Sequence, residues 1–182
     1  MFLGISDVAF SFNGERHGFI VGGGLGPAVT FWTQWVDSYK FPTNNDFNLH
    51  TDFRLGYGFN GERFTLFYWN KVSWFSMLNV LGENVLITSG VTGPGLSYYL
   101  RPKSPSLYAL AGIGISVWNT PFELGAEGWY GLGAMGGIGF EFAKHWCLEA
   151  TATYGKPSKT EMGIKASTEA LSAALCIVGI AY

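Results

Sequence analysis

Between Phe47 and Phe59 the chain alternates without a break. Odd positions read Phe47, Leu49, Thr51, Phe53, Leu55, Tyr57 and Phe59; even positions read Asn48, His50, Asp52, Arg54, Gly56 and Gly58. A period of two marks a β-strand with unlike faces. The run stops at Asn60-Gly61, a two-residue hairpin signal. The return, Glu62–Phe75, sets Phe64, Leu66, Tyr68, Val72 and Trp74 on one face and Arg63, Thr65, Lys71 and Ser73 on the other. The same pattern predicts strands over His17–Trp35, Asn84–Leu100, Leu107–Trp118, Gly128–Phe142, Trp146–Tyr154 and Glu169–Tyr182, eight in all. In the last, Ala170, Ala174, Cys176, Val178, Ile180 and Tyr182 keep one face apolar to the final residue. A closed membrane barrel needs such a strand, because the last strand pairs with the first and one face meets lipid.

The connections alternate in length. Asn60-Gly61, Arg101–Ser106 and Ala143–His145 are short, while residues 36–46, 76–83, 119–127 and 155–168 are longer. Short turns at one end and long loops at the other is the outer-membrane barrel arrangement, with the short turns in the periplasm. Aromatic residues gather where strands end: Trp32, Trp35, Trp74, Trp118 and Trp129 toward the long loops, and Phe59, Phe64, Tyr108, Phe142, Trp146 and Tyr182 toward the short turns. They are expected to form two interfacial girdles.

Composition points the same way. Charged residues are 13% of the chain, about half the usual quarter, while hydrophobic residues reach 48% and aromatics 17%. No apolar run approaches the ~18 residues of a transmembrane helix, and the 26 glycines disfavour helices. The expectation is an all-β, antiparallel, up-and-down transmembrane barrel of eight strands, with ten as the alternative. The rival is a soluble lipocalin-like ligand carrier, also eight-stranded, with its apolar face turned inward. A net charge of −2 with no basic stripe argues against a nucleic-acid partner. Cys147 and Cys176, on opposite faces by parity, are expected as free thiols.

Two stretches resist this scheme. Phe12-Asn13-Gly14-Glu15-Arg16 nearly repeats Phe59-Asn60-Gly61-Glu62-Arg63, so residues 1–16 read as an N-terminal segment or an extra hairpin strand ahead of a barrel over 17–182. Pro27 and Pro94 fall mid-strand, and each implies a bulge or break because proline cannot donate to a ladder. Met1-Phe2-Leu3 carries no secretory signal; a mature, exported form in a bacterial outer membrane is expected.

With these strands in hand, the chain resembles the small eight-stranded outer-membrane barrels typified by the transmembrane domain of outer membrane protein A. Tyr108-Ala109-Leu110-Ala111-Gly112-Ile113-Gly114-Ile115 and Gly137-Ile138-Gly139-Phe140-Glu141-Phe142 carry the likeness, which spans residues 17–182. The resemblance implies a lumen plugged by internal charge pairs. Members of that group often carry a periplasmic peptidoglycan-binding domain, and this sequence ends at the barrel.

On the residues themselves, His50, Asp52, Arg54, Arg63, Lys71, Glu141 and Glu149 are the ionisable groups expected in the lumen. In a narrow interior opposite charges must pair. A lipid A- or phospholipid-modifying enzyme is the catalytic alternative, resting on His50-Thr51-Asp52; no serine follows His50 at the spacing such sites use, and a non-enzyme is expected. No phosphate loop, nucleotide fingerprint or metal cluster appears, so no cofactor is expected. The loop carrying Lys156, Lys159 and Lys165 against Glu161 reads first as a solvated loop without a partner, with contact to anionic lipopolysaccharide as the alternative. A structural, adhesion or interaction role through the long loops of a monomer in outer-membrane lipid is the leading reading; transport of a small or apolar solute through the lumen or the wall is the alternative.

Overall fold

The computed structural model describes residues 16–59, 63–78, 82–123 and 127–182. The Asn60-Gly61 turn and residues 1–15, with most of the pentapeptide repeat, lie outside the described residues. Among the described residues ten antiparallel strands form one sheet: β1 (Gly18–Val36), β2 (Tyr39–Lys40), β3 (Asn44–Gly58), β4 (Phe64–Leu78), β5 (Asn84–Tyr99), β6 (Ser106–Asn119), β7 (Trp129–Ala143), β8 (Trp146–Gly155), β9 (Ser158–Glu161) and β10 (Ile164–Ala181). β1 pairs with β10, so β1, β3, β4, β5, β6, β7, β8 and β10 close into an eight-stranded wall.

The other two strands are short extensions at the long-loop end. β2 folds back on the end of β1, Trp35 opposite Lys40. β9 folds onto β10 through Met162-Gly163, both at positive φ, as a type I′ hairpin turn requires. Residues 155–168, read from sequence as a loop, are thus largely hairpin. Its polar residues on both faces hide the period of two.

Apolar residues point outward: Leu132 is 88% exposed, Phe47 74% and Ile113 70%. The inner surface mixes charged, polar and small residues with large buried side chains such as Phe67, Trp69, Tyr99 and Met135, which fill it. This is the reverse of a lipocalin, whose apolar face lines a cavity. In β10 the even positions, including Cys176 and Val178, are the buried, inward ones, as is Tyr182 just beyond the strand, whereas Leu171, Leu175 and Ile177 face out. The face assigned to lipid from sequence is the lumen face; both faces of this strand are apolar, so composition alone could not choose. Cys147 also faces inward, so the two free thiols share the lumen side.

The inner face is rich in glycine because the bore is narrow and must hold large rings. A Cβ on Gly139 would lie 2.1 Å from the Tyr108 ring, and one on Gly95 2.1 Å from the Trp69 ring. Of the bulge or break expected at Pro27 and Pro94, the structure shows a local break without a bulge. Each strand runs through its proline with Leu49 or Tyr68 opposite. On the other side the ladder lapses for two residues and resumes in the same register. The register shift between described barrel strands lies instead at Glu141/Ala143, beside the turn into β8.

Candidate functional site

Alternation places the even residues of β3 in the lumen, so His50, Asp52 and Arg54 descend in turn from the long-loop end toward the short-turn end. Lys71 projects from β4 beside them and Glu149 from β8, three strands away around the ring. Arg54 grips Glu149 bidentately, Nη1 to Oε1 at 2.7 Å and Nη2 to Oε2 at 2.8 Å. Its other donors reach Asp52. Lys71 donates to Asp52 and stands 3.4 Å from Glu149. Tyr108 Oη, from β6, donates to Glu149 at 2.5 Å. Two cations and two carboxylates balance, with side-chain exposures of 0–1%. Arg54 and Lys71 also lie over the Trp69 ring, at 5.5 and 5.7 Å.

A second network closes the short-turn mouth. Arg16, just ahead of β1, donates to Glu141 of β7 and to the carbonyls of Arg101 and Pro102. Ser104 and Tyr182 donate to the other oxygen of Glu141, and the Arg16 guanidinium sits 4.1 Å from the centroid of Tyr99. So Glu141 does not join the Arg54 group. Arg63 does not enter the lumen at all; it is exposed at the hairpin end. Of the two arginines in the repeated pentapeptide, the lumen takes Arg16, which the sequence reading left out.

Above the four-ion cluster lies a layer of neutral polar side chains. His50 Nδ1 meets Ser73 Oγ at 3.0 Å, Thr30 Oγ1 meets Ser172 Oγ at 2.8 Å, and Asn48 donates to Thr30 at 2.9 Å. Asp52 is occupied by Arg54 and Lys71, so His50 and Asp52 do not assemble as a catalytic pair. The serine that His50 meets comes from β4, a strand pairing invisible in local spacing. His50 and Ser73 are 1% and 0% exposed.

The long-loop end of the lumen is closed by rings. Trp32 stacks on Phe75 at 4.8 Å and tilts against Trp118 at 6.2 Å, with Ile87, Ala170 and the part-buried Trp129 around them. Trp32, Trp118 and Trp129 therefore belong to the interior, not to a lipid-facing girdle, and Tyr108 and Tyr182 likewise serve the ion networks. Their positions near strand ends suggested the interface; their pleat parity turns them inward. Trp35 and Trp74 lie on the outward parity, and Phe59, Phe64, Phe142 and Trp146 are each about half exposed.

Outside this lid the loop end is basic on one side. Lys156, Lys165, Ser158, Ser167 and Leu132 line a cavity of about 280 Å³. Lys40 and Lys156 lie 5.1 and 5.3 Å from the centroid of the Trp35 ring. Lys159 is engaged with Glu161 at 3.0 Å and Glu127 at 3.2 Å, and these bonds raise its pKa. Asp37 ties the two hairpins together, its N–H donating to the Lys165 carbonyl at 2.8 Å and its carboxylate accepting from the Lys165 N–H at 3.0 Å.

No protein-family model and no curated protein sequence matches the chain. Solved structures do, and they are small outer-membrane β-barrels. OprG from Pseudomonas aeruginosa is similar at a TM-score of 0.51 and 12% identity, over 91% of this chain and 97% of that one. Neisserial surface protein A gives 0.49 and 14%, over 89% and 96%. Ail, the attachment invasion locus protein of Yersinia pestis, gives 0.43 and 16%, over 86% and 98%, in a complex with the heparin analogue sucrose octasulfate. At these identities the likeness to OprG concerns the fold: a closed antiparallel barrel of the outer-membrane kind.

Proposed function

We propose that this protein is a bacterial outer-membrane barrel that does not conduct, and whose work is done at the long-loop end, on anionic lipid of the outer leaflet. The observation that carries the reading is the bridged lumen. Glu149 and Glu141, on adjacent strands, each reach across to a buried arginine, and the aromatic lid closes the opposite mouth. Among the described residues the buried lumen charges are paired with one another, so a passing ion would have to break these pairs to replace them. The outward apolar surface supports the membrane setting, because water-soluble chains rarely expose apolar patches beyond a few hundred Å².

The basic cavity supports the partner class. Among the described residues Lys156 and Lys165 have no carboxylate partner, while Lys159, their neighbour, has two. Two unneutralised ammonium groups with Ser158 and Ser167 at the membrane rim suit a phosphate group. The test has two parts. In planar bilayers the native protein should give no current steps; sustained single-channel current would overturn the closed lumen and favour transport. In detergent micelles, added lipopolysaccharide should raise the thermal unfolding midpoint, as a ligand of the folded state must. In the Lys156→Glu/Lys165→Glu double variant it should not. Equal stabilisation of both proteins would remove the basic cavity as the lipid site.

A further inference from the structure

We propose that the outer face of β3, β4 and β5 is a self-association surface, on which two copies lying side by side pair their Asn70 carboxamides. The proposal rests on the membrane reading above and replaces the expectation of a monomer.

Elsewhere in the middle of the wall the outward residues of β6, β7, β8 and β10 are aliphatic, aromatic or glycine. The outward polar groups gather on this one side as Thr51, Asn70, Thr88 and Thr92. Three of the four are satisfied within the chain. Thr51 Oγ1 accepts from Trp74 Nε1 at 2.8 Å, Thr88 faces the Asn119 carbonyl at 3.3 Å, and Thr92 Oγ1 lies 3.1 Å from both Tyr68 Oη and the Trp69 carbonyl. Asn70 is the exception. It is exposed, midway along β4 between the aromatic levels of Phe64 and Trp74, and its side chain has no partner among the described residues. The face that Phe64, Leu66, Tyr68, Val72 and Trp74 form in the sequence has its gap at this position.

A carboxamide left bare in hydrocarbon is costly, since no water is there to bond it. The geometry of insertion chooses the partner. Two copies inserted the same way are related by a two-fold axis along the membrane normal, so each residue stays at its own depth. Asn70 of one copy then meets Asn70 of the other, and a carboxamide is its own complement, with donors and an acceptor on each side. Beside Asn70 is a dent of about 140 Å³ lined by Val72, Gly90, Thr92 and Val117 among others. The two-fold turns this β5 side of one copy toward the β3 side of the other. There the outward neighbour of Asn70 in register is Phe53, 48% exposed and placed to fill the dent.

The experiment is sedimentation equilibrium in density-matched micelles over a range of protein-to-detergent ratios, on the native chain, Asn70→Leu, Asn70→Gln and Phe53→Ala. Heat-dependent gel mobility of each first establishes a folded barrel. The native chain should dimerise, and Asn70→Gln should stay within about threefold of it. Asn70→Leu, folded and more apolar, should weaken the dimer about tenfold, about 1.4 kcal/mol, and Phe53→Ala should weaken it as well. A folded native chain that is monomeric at every ratio, or an Asn70→Leu variant that dimerises as well as the native one, overturns the proposal. A native chain that shows no heat-dependent mobility in micelles fails at the earlier step and removes the membrane reading with it.

Discussion

Replacing Glu149 by alanine is the sharpest probe of the bridged lumen. Glu149 balances one of two cations in a cluster whose side chains are 0–1% exposed. Its removal leaves Arg54 and Lys71 facing Asp52 alone, a net buried charge of +1. It deletes the 2.7 and 2.8 Å bonds to Arg54 and strands the Tyr108 hydroxyl. Removing one partner of a buried pair costs about 3–5 kcal/mol, chiefly through the charge left behind. With a urea slope of roughly 2 kcal/mol per molar, that is a midpoint shift of about 2 M. The assay is equilibrium urea unfolding in lipid vesicles, followed by tryptophan fluorescence. The Arg54→Ala/Glu149→Ala double variant keeps Lys71 opposite Asp52 and is neutral again, so it should lose less than the sum of the single variants. A midpoint shift below about 0.5 M for Glu149→Ala, or strict additivity in the double variant, would mean that the charges are hydrated and not locked, and the lumen argument would fall with them.

Two further outcomes test the packing that surrounds the ions. Gly139→Ala should destabilise by about 1–3 kcal/mol, because its Cβ would stand 2.1 Å from the Tyr108 ring and push the hydroxyl off Glu149; urea unfolding measures it, and a silent substitution would show that the ring can move aside. Trp32→Ala should cost about 3–5 kcal/mol by removing the ring that stacks on Phe75 at 4.8 Å, and the fluorescence of the remaining tryptophans should shift to the red as water enters the long-loop mouth. An interfacial girdle residue would show a far smaller loss.

Much of the architecture could be read locally. Phe47–Phe59 announces a strand because the pleat imposes a period of two on any segment with unlike faces. The eight wall strands all overlap their predicted spans for that reason. Where both faces are apolar, as in β10, or both polar, as in β9, the period carries no information, and there the reading failed. The candidate site divides in the same way. Asp52, Arg54, Lys71 and Glu149 lie on the strand faces opposite Phe53, Leu55, Val72 and Leu148, so they were visible as lumen groups. Their sorting into two networks was not, because Arg54 finds Glu149 95 residues later in the chain and Arg16 finds Glu141 125 residues later.

Local patterning thus determined that the chain makes antiparallel strands, narrowed the wall to eight strands or ten, and required that charge hide inside. Tertiary structure alone decided which face of each end residue is inside and which charges meet. Arg16 and Arg63 end nearly identical pentapeptides, yet one is buried over the Tyr99 ring and the other is exposed. The difference comes from what stands across the bore: Glu141, Tyr99 and the Arg101 and Pro102 carbonyls converge on Arg16 only when the ring closes. A distance around a closed barrel is set by strand order and register, and no window of sequence contains it.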